Sequence, residues 1–254
     1  MEEKEILEPA LYLLPSALSE ADVDEVIPAR NRLITSKLRY FVVENLRTAR
    51  RWIKRCDRSF SFEGVEMVEL NKQTPESEIS QMLEPLRQGH PMGVMSEAGC
   101  PAVADPGAAL VNIAQKEGLK VVPLVGPSSI IMSLMASGMN GQNFAFLGYL
   151  PIDEKERRNE LRRLERESEE KDRTQIFIET PYRNNKMVEI LAETLQPDTL
   201  VCVAADITDG ERESIVTLPA SQWRKRKYDY SKRPVIYLIY RGMGEVAKKR
   251  GRRR

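Results

Sequence analysis

The stretch from Met92 to Leu110, MGVMSEAGCPAVADPGAAL, constrains the fold of this chain more than any other. It opens as a short apolar run, Met92 to Met95, of the kind a buried strand makes. It breaks at Ser96-Glu97-Ala98-Gly99, where small residues let the backbone turn tightly or approach a ligand closely. Pro101 and Pro106 stiffen the rest of the loop, and Gly107 leads into a helix-favouring segment from Ala108 to Lys116. Strand, stiff loop and helix in that order put a binding loop at the carboxyl end of a strand, where open α/β sheets take their ligands. The same residues also describe an ordinary strand-to-helix turn, because glycine and proline punctuate many loops.

A second stretch repeats the pattern. Lys120-Val-Val-Pro-Leu-Val-Gly-Pro-Ser-Ser129 is a strand that stops at Gly126, with Ser128 and Ser129 opening a helix. Strands at Leu11–Leu14, Tyr40–Val43 and Met67–Leu70 alternate with helical segments. Ser19 is placed to cap the first of these segments, and Pro28 interrupts or restarts it. A further helix starts at Thr74-Pro75, with Ile79, Met82, Leu83 and Leu86 at helical spacing as its buried face. Such alternation predicts a mainly parallel sheet. Past Gly126 the segments 143–150, 175–179, 200–205, 212–218 and 234–240 read as strands. The last two have no helix between them, so this second sheet is expected to be mixed. The boundaries expected are residues 1–126, residues 127–241 and a basic tail, 242–254. The segment from Asp153 to Lys171, dense in alternating charge, reads as a solvated helix or a mobile flap.

The pair SEAGCPAVADPG and VVPLVGPSS resembles the tetrapyrrole methylase superfamily of S-adenosylmethionine (SAM) methyltransferases. LYLLP at the start, VENLR at Glu44, LGYLP at Tyr149 and IETPYR at Tyr182 extend the resemblance over nearly the whole chain to Arg241. The nearest branch methylates a ribose 2′-hydroxyl of small-subunit ribosomal RNA. The resemblance implies two α/β domains with SAM in a cleft between them, and a homodimer. It implies SAM contacts at Pro15, Ser96, Glu97, Ala98, Gly99, Cys100, Pro101, Val103, Asp105, Gly126, Ser128 and Ser129. It extends them to Thr180, Tyr182, Ala204, Ala205, Pro234 and Val235.

The sulfonium methyl is already electrophilic, so the protein need only hold donor and acceptor in line. That suits a sequence with one histidine, His90, and no metal-ligand spacing. A ribose hydroxyl is a poor nucleophile, and Glu44, Glu97 and Asp206 are the acids at strand ends that could orient or deprotonate it. The chain departs from the branch in three places: PSALSEAD lacks a loop glycine, Asn45 and Leu46 replace an acid and a hydroxyl, and Ala205-Asp-Ile-Thr208 lacks an arginine. Ribosomal RNA, methylated at a ribose 2′-hydroxyl, is the first reading for the acceptor, and the three departures leave room for an acceptor that has diverged from that of the branch. A tetrapyrrole or other metabolite, or a SAM- or RNA-binding module without catalysis, are the alternatives.

Composition bounds these readings. Net charge is only +1, so phosphate attraction must be local. Trp223-Arg-Lys-Arg-Lys-Tyr228, the helix carrying Arg47 to Arg55, and Lys248–Arg254 are the clusters that could supply it, though each reads equally as a solvated turn, a charged outer helix face or a solvated tail. Cys56, Cys100 and Cys202 are an odd, widely spaced set that frames no disulfide network. With no signal-like start and no apolar run near the ~20 residues of a membrane span, a cytoplasmic protein with no membrane partner is expected.

Overall fold

A computed structural model describes residues 7–242. The expected tail segment Lys248–Arg254 lies outside the described residues. The chain divides into two compact units, residues 1–128 and 129–254.

The first unit runs β1 (Leu11–Leu13), α1 (Val23–Val26), α2 (Ala29–Lys37), β2 (Tyr40–Val43), α3 (Leu46–Cys56), β3 (Glu66–Glu69), α4 (Glu76–Gln81), α5 (Glu84–Arg87), β4 (Met92–Met95), α6 (Gly107–Lys116) and β5 (Val121–Pro123). Its five strands are ordered β3-β2-β4-β1-β5, and every pairing is parallel. Side chains of a strand alternate between faces, and the core follows that alternation. Tyr12, Leu14, Phe41, Val43 and Met95 join Ile34 and Ile53 of α2 and α3 on one face. Leu11, Val42, Met92 and Val94 join Ile79, Leu86 and Leu110 on the other. The chain leaves β1 towards β2 and leaves β4 towards β5, by helices on opposite faces. The loops after β1 and β4 therefore diverge between neighbouring strands, which is the topological switch point of a doubly wound sheet.

Two local expectations are corrected. The first helix is capped by Asp22, whose side chain accepts from the Asp24 amide, while Ser19 accepts from Ala21 outside the helix. The single helix expected from Thr74 is two short ones, because Pro85 has no amide to continue the ladder. Its four apolar residues are nonetheless buried.

The second unit runs α7 (Ser129–Ser137), β6 (Phe144–Tyr149), α8 (Glu154–Lys171), β7 (Thr174–Ile178), a one-turn 3-10 helix (Pro181–Arg183), α9 (Asn184–Thr194), β8 (Leu200–Ala205), β9 (Ser214–Pro219), α10 (Ala220–Trp223) and β10 (Val235–Tyr240). The strand order is β6-β7-β10-β8-β9. Only β6 and β7 pair in parallel, so the sheet is mixed, but not for the reason expected: α10 lies between β9 and β10, which are not neighbours, and the helix-free step is the antiparallel pair β8 and β9. The segment Asp153–Lys171 is neither flap nor uniformly solvated. Arg157, Leu161, Leu164, Glu165 and Ser168 form a buried stripe along α8, at the i, i+4, i+7, i+8, i+11 spacing of one helix face. Trp223 is not a flanking aromatic of a surface patch. It is 1% exposed in the core, and its indole N–H donates to the Val201 carbonyl at 3.0 Å.

Candidate functional site

In the first unit the parallel register aligns the carboxyl ends of the strands. Leu13 lies opposite Val94 and Pro123, and Val43 opposite Met95. Glu44, Ser96-Glu97, Pro15 and Gly126 come directly after these ends. The structure thus brings together Glu44, Pro15, the loop 96–105 and Gly126, and it joins them across the switch point. Ser16 and Gly99 exchange both backbone hydrogen bonds, at 2.9 and 3.1 Å. The Ser16 hydroxyl donates to the Ser96 carbonyl at 3.1 Å, and the Ser96 hydroxyl to Ala98.

The two glycine corners meet at this seam. Gly126 packs on Pro15 so closely that a β-carbon there would lie 2.2 Å from the proline Cβ. The Cys100 thiol donates to the Pro127 carbonyl at 3.4 Å. Burial pushes that thiol above its ordinary value, which keeps it protonated and makes it a small filler rather than a nucleophile. Gly99 adopts φ +73°, and Ala102 and Ala104 share the left-handed region at +66° and +63°. Each alanine there costs roughly 1–2 kcal/mol, so the loop is held by its surroundings rather than by local preference.

Asp105 helps hold it. One carboxylate oxygen accepts the Gly107 amide at 2.6 Å. Its other oxygen, Oδ2, is buried and has no hydrogen-bond partner among the described residues. Burial, and next to it the nearby Glu44 charge, push the Asp105 carboxyl above its ordinary value against the pull of backbone amides. Glu44 accepts the Glu97 amide at 3.1 Å, and Glu97 accepts from the Thr48 hydroxyl at 3.4 Å. None of these three acids has an ion-pair partner among the described residues. Pro101 is buried, whereas Ala98 and Val103 are exposed on the rim. Ser128 closes this unit and Ser129 opens α7.

In the second unit a different edge gathers the other predicted residues. Val235 lies opposite Ala205, Ile236 opposite Ala204 and Ile178. Ala204, Ala205, Pro234 and Val235 are therefore neighbours, with Thr180 and Tyr182 just past the end of β7. Ala204 and Ala205 sit in a strand paired on both sides with buried side chains, so they shape the edge and offer a ligand little directly. Pro234 and Tyr182 are exposed. Asp206 is buried at φ +47°, and Arg233 clamps it at 2.5 Å with Arg212 at 3.5 Å.

The sequence reading missed a second clamp. Glu179 is buried and takes the Thr180 amide and the Arg183 guanidinium on one oxygen. Its other oxygen lies 3.6 Å from Arg157, also buried, which donates in turn to the carbonyls of Pro151 and Ile152. The Glu-x-x-x-Arg spacing of IETPYR signals the Arg183 pair. Arg157 is four residues before Leu161, on the stripe that α8 buries. Ser16 was missed because nothing local marks it; its role comes from a strand that is distant in sequence.

Comparison with known proteins agrees with this architecture. The sequence pattern of the tetrapyrrole (corrin/porphyrin) methylases matches residues 17–222, and the chain belongs to that family. Among curated relatives, a ribosomal RNA small subunit methyltransferase I of Buchnera aphidicola is 29% identical over 72% of this chain and 64% of its own. One of Vibrio cholerae is 32% identical over 65% of this chain and 57% of its own. The chain thus covers less than two thirds of either relative. Among solved structures, the methyltransferase CobJ superposes with TM-score 0.60 at 16% identity, covering 91% of this chain and 93% of that one. A uroporphyrin-III C-methyl transferase of Thermus thermophilus, complexed with S-adenyl homocysteine, gives 0.53 at 16% identity, covering 94% and 99%. At that identity the structural likeness establishes the fold. Among the described residues, no helix is long and apolar enough to cross a membrane, and no group of acids, cysteines and histidine is arranged to hold a metal.

Proposed function

We propose that this chain is a SAM-dependent methyltransferase whose acceptor is a ribose 2′-hydroxyl of small-subunit ribosomal RNA. We propose further that it works as a cytoplasmic homodimer. The observation that carries the reading is the first unit's sheet edge. There a strained loop and three carboxylates without cationic partners among the described residues stand at the switch point. The residues fit SAM chemically. Its sulfonium and ammonium are positive, and Glu44, Glu97 and Asp105 make the rim negative. The buried, unpartnered Oδ2 of Asp105 is an acceptor suited to a ligand N–H or O–H. When bound, SAM supplies an electrophilic methyl group.

The chain's own contribution is position and proton management. The Ser16–Gly99 exchange fixes the loop across the switch point. Glu44 spends one oxygen on the Glu97 amide. Its other oxygen, with the exposed Glu97 carboxylate, can orient an acceptor hydroxyl or take its proton. Asp206, neutralised by Arg233, is assigned to holding the second unit's edge.

The RNA acceptor rests on the relatives' names, and the match covers only part of their length, so it is tested directly. Calorimetry with SAM, then transfer of labelled methyl to small ribosomal subunits lacking the modification, is the experiment. The reading requires micromolar-range binding and label in the RNA ribose. Label entering only a tetrapyrrole or metabolite pool moves the acceptor to that class. SAM binding without transfer to either makes the chain a sensor. Light scattering of the purified chain checks the dimer.

A further inference from the structure

The segment between α10 and β10 carries Arg224, Lys225, Arg226, Lys227, Lys232 and Arg233. The structure fixes its course along α9 by hydrogen bonds from end to end. The Arg224 Nε–H donates to the Ala192 carbonyl at 2.7 Å, near the end of α9. The Tyr230 amide donates to Asn185 Oδ1 at 2.8 Å, and the Asn184 side chain donates back to the carbonyls of Tyr230 and Arg233. The Lys232 amide donates to the Pro181 carbonyl at 3.1 Å. Tyr228 stacks on Tyr230 and meets Trp223 edge-on, which anchors the middle. At its end Arg233 is bound to Asp206. The segment is thus a pinned strap that leads to the edge holding Thr180, Tyr182 and Pro234.

Two of its cations are held by oxygen acceptors, and of the four others Arg226 lies over the Trp223 ring, 5.9 Å from its centroid. Arg224 is held by the Ala192 carbonyl and Arg233 by Asp206. Lys225, Arg226, Lys227 and Lys232 are exposed, and none has a carboxylate partner among the described residues. Adjacent like charges on a fixed backbone repel one another, a cost that the placement of Arg226 over Trp223 offsets in part. Beside them lies a groove of about 910 Å³, lined by Asn185, Glu189, Glu193, Trp223, Arg226 and Tyr228 among others. The two acids on its far wall are already paired, Glu193 with Arg158 at 2.8 Å and Glu189 with Lys186 at 3.5 Å. Among the described residues the four cations remain without a carboxylate partner.

We infer that the strap from Arg224 to Lys232 is the track on which the phosphodiester backbone of an RNA acceptor lies. This rests on the RNA acceptor proposed for the chain. A row of exposed cations without carboxylate partners among the described residues, beside a groove lined in part by the half-buried Tyr228, suits a single strand better than a small anion. The strap ends against Pro181, next to Tyr182, which is 84% exposed. A splayed nucleobase can stack there.

The test uses the full chain and the variant K225Q/R226Q/K227Q, with deproteinised small-subunit ribosomal RNA as the probe. Affinity is measured across a salt series, and SAM affinity by calorimetry. Loss of three phosphate contacts should lower the slope of log K against log salt by about 2 and weaken binding by about tenfold or more. The KM for RNA should rise while kcat and SAM affinity stay unchanged. The charge-keeping variant K225R/R226K/K227R should bind as the parent does. An unchanged slope and affinity in the glutamine variant, with the parent binding and methylating RNA, overturns the track and leaves the RNA reading standing. A parent that neither binds nor methylates RNA removes both. If the glutamine variant binds naked RNA normally but loses affinity for the intact subunit, the strap holds an acidic protein surface and the inference is wrong.

Discussion

At the edge of the first unit, Glu44, Glu97 and Asp105 stand near one another with no cation in ion-pair range among the described residues. At the edge of the second, Glu179 and Asp206 are each gripped by guanidiniums. Both edges end a five-stranded sheet and both gather residues that the sequence nominates. The difference separates two uses of a carboxylate. A paired, buried acid has its lone pairs occupied and acts as a pin for the backbone around it. An unpaired acid in a strained loop keeps acceptor capacity, at a cost in stability that a ligand can offset. The chemistry therefore belongs to the first edge and the rigidity to the second.

The largest effect should come from breaking the pin. Glu179→Ala leaves Arg157 buried without its partner, and removing one member of a buried pair costs about 3–5 kcal/mol. Urea denaturation should show the loss as a lower midpoint. A variant as stable as the parent would mean that Arg157 is satisfied by the carbonyls of Pro151 and Ile152 alone, and the contrast between the edges would weaken.

Asp105→Asn probes the other side. Its carboxyl is raised from 3.8 mainly by burial. A raised acid contributes stability that is fully present below the unfolded value and is lost as pH rises through the folded one. The parent should therefore lose stability relative to Asp105→Asn as pH climbs through that range, and the two should converge below about pH 3.8. At pH 7 the variant is expected to be at least as stable as the parent. SAM affinity should still fall tenfold or more, since a hydrogen bond to a charged group is worth about 1.5–3 kcal/mol. A variant that loses stability and keeps affinity would make Asp105 a pin like Glu179.

The first edge was the more legible of the two in sequence. Ser96 to Gly107 announces itself through glycines and prolines, and the parallel sheet follows from alternating elements. The pins were hidden because each is made by residues far apart in the chain. Arg157 reads as one charge among many in α8, and only its register with Leu161 and Leu164 places it inside. Asp206 reads as an acid at a strand end, a fair candidate for chemistry, until Arg233 is seen to clamp it. Ser16 has no local signal at all, since its partners Gly99 and Ser96 arrive from β4.

Gly126→Ala sharpens the claim that the two glycine corners form one rigid seam. The added carbon would fall 2.2 Å from Pro15 Cβ, and the proline ring cannot rotate away. Overpacking of this kind costs about 1–3 kcal/mol. The change should lower thermal stability, and it should weaken SAM binding if Pro15 moves with the loop. Lost stability with intact SAM affinity would separate the seam from the ligand surface.

The smallest effect tests a departure from the family pattern. Asn45 stands where the resemblance leads one to expect an acid, yet the structure gives it a purpose of its own. It is the N-cap of α3, and its Oδ1 accepts the Thr48 amide at 3.0 Å and the Thr48 hydroxyl at 3.2 Å. Asn45→Ala removes that cap and should cost about 1 kcal/mol. Asn45→Asp keeps the cap, and a negative charge at a helix N-terminus is favourable by a few tenths of a kcal/mol. That gain is opposed by Glu44 and Glu97 close by, so its stability should stay near that of the parent. The informative readout is then catalytic. If Asn45→Asp raises methyl transfer at unchanged stability, the rim is short of one acid and Asn45 tunes the acceptor. If transfer is unchanged while Asn45→Ala loses the expected stability, Asn45 is a helix cap, and the two acids already on the rim suffice.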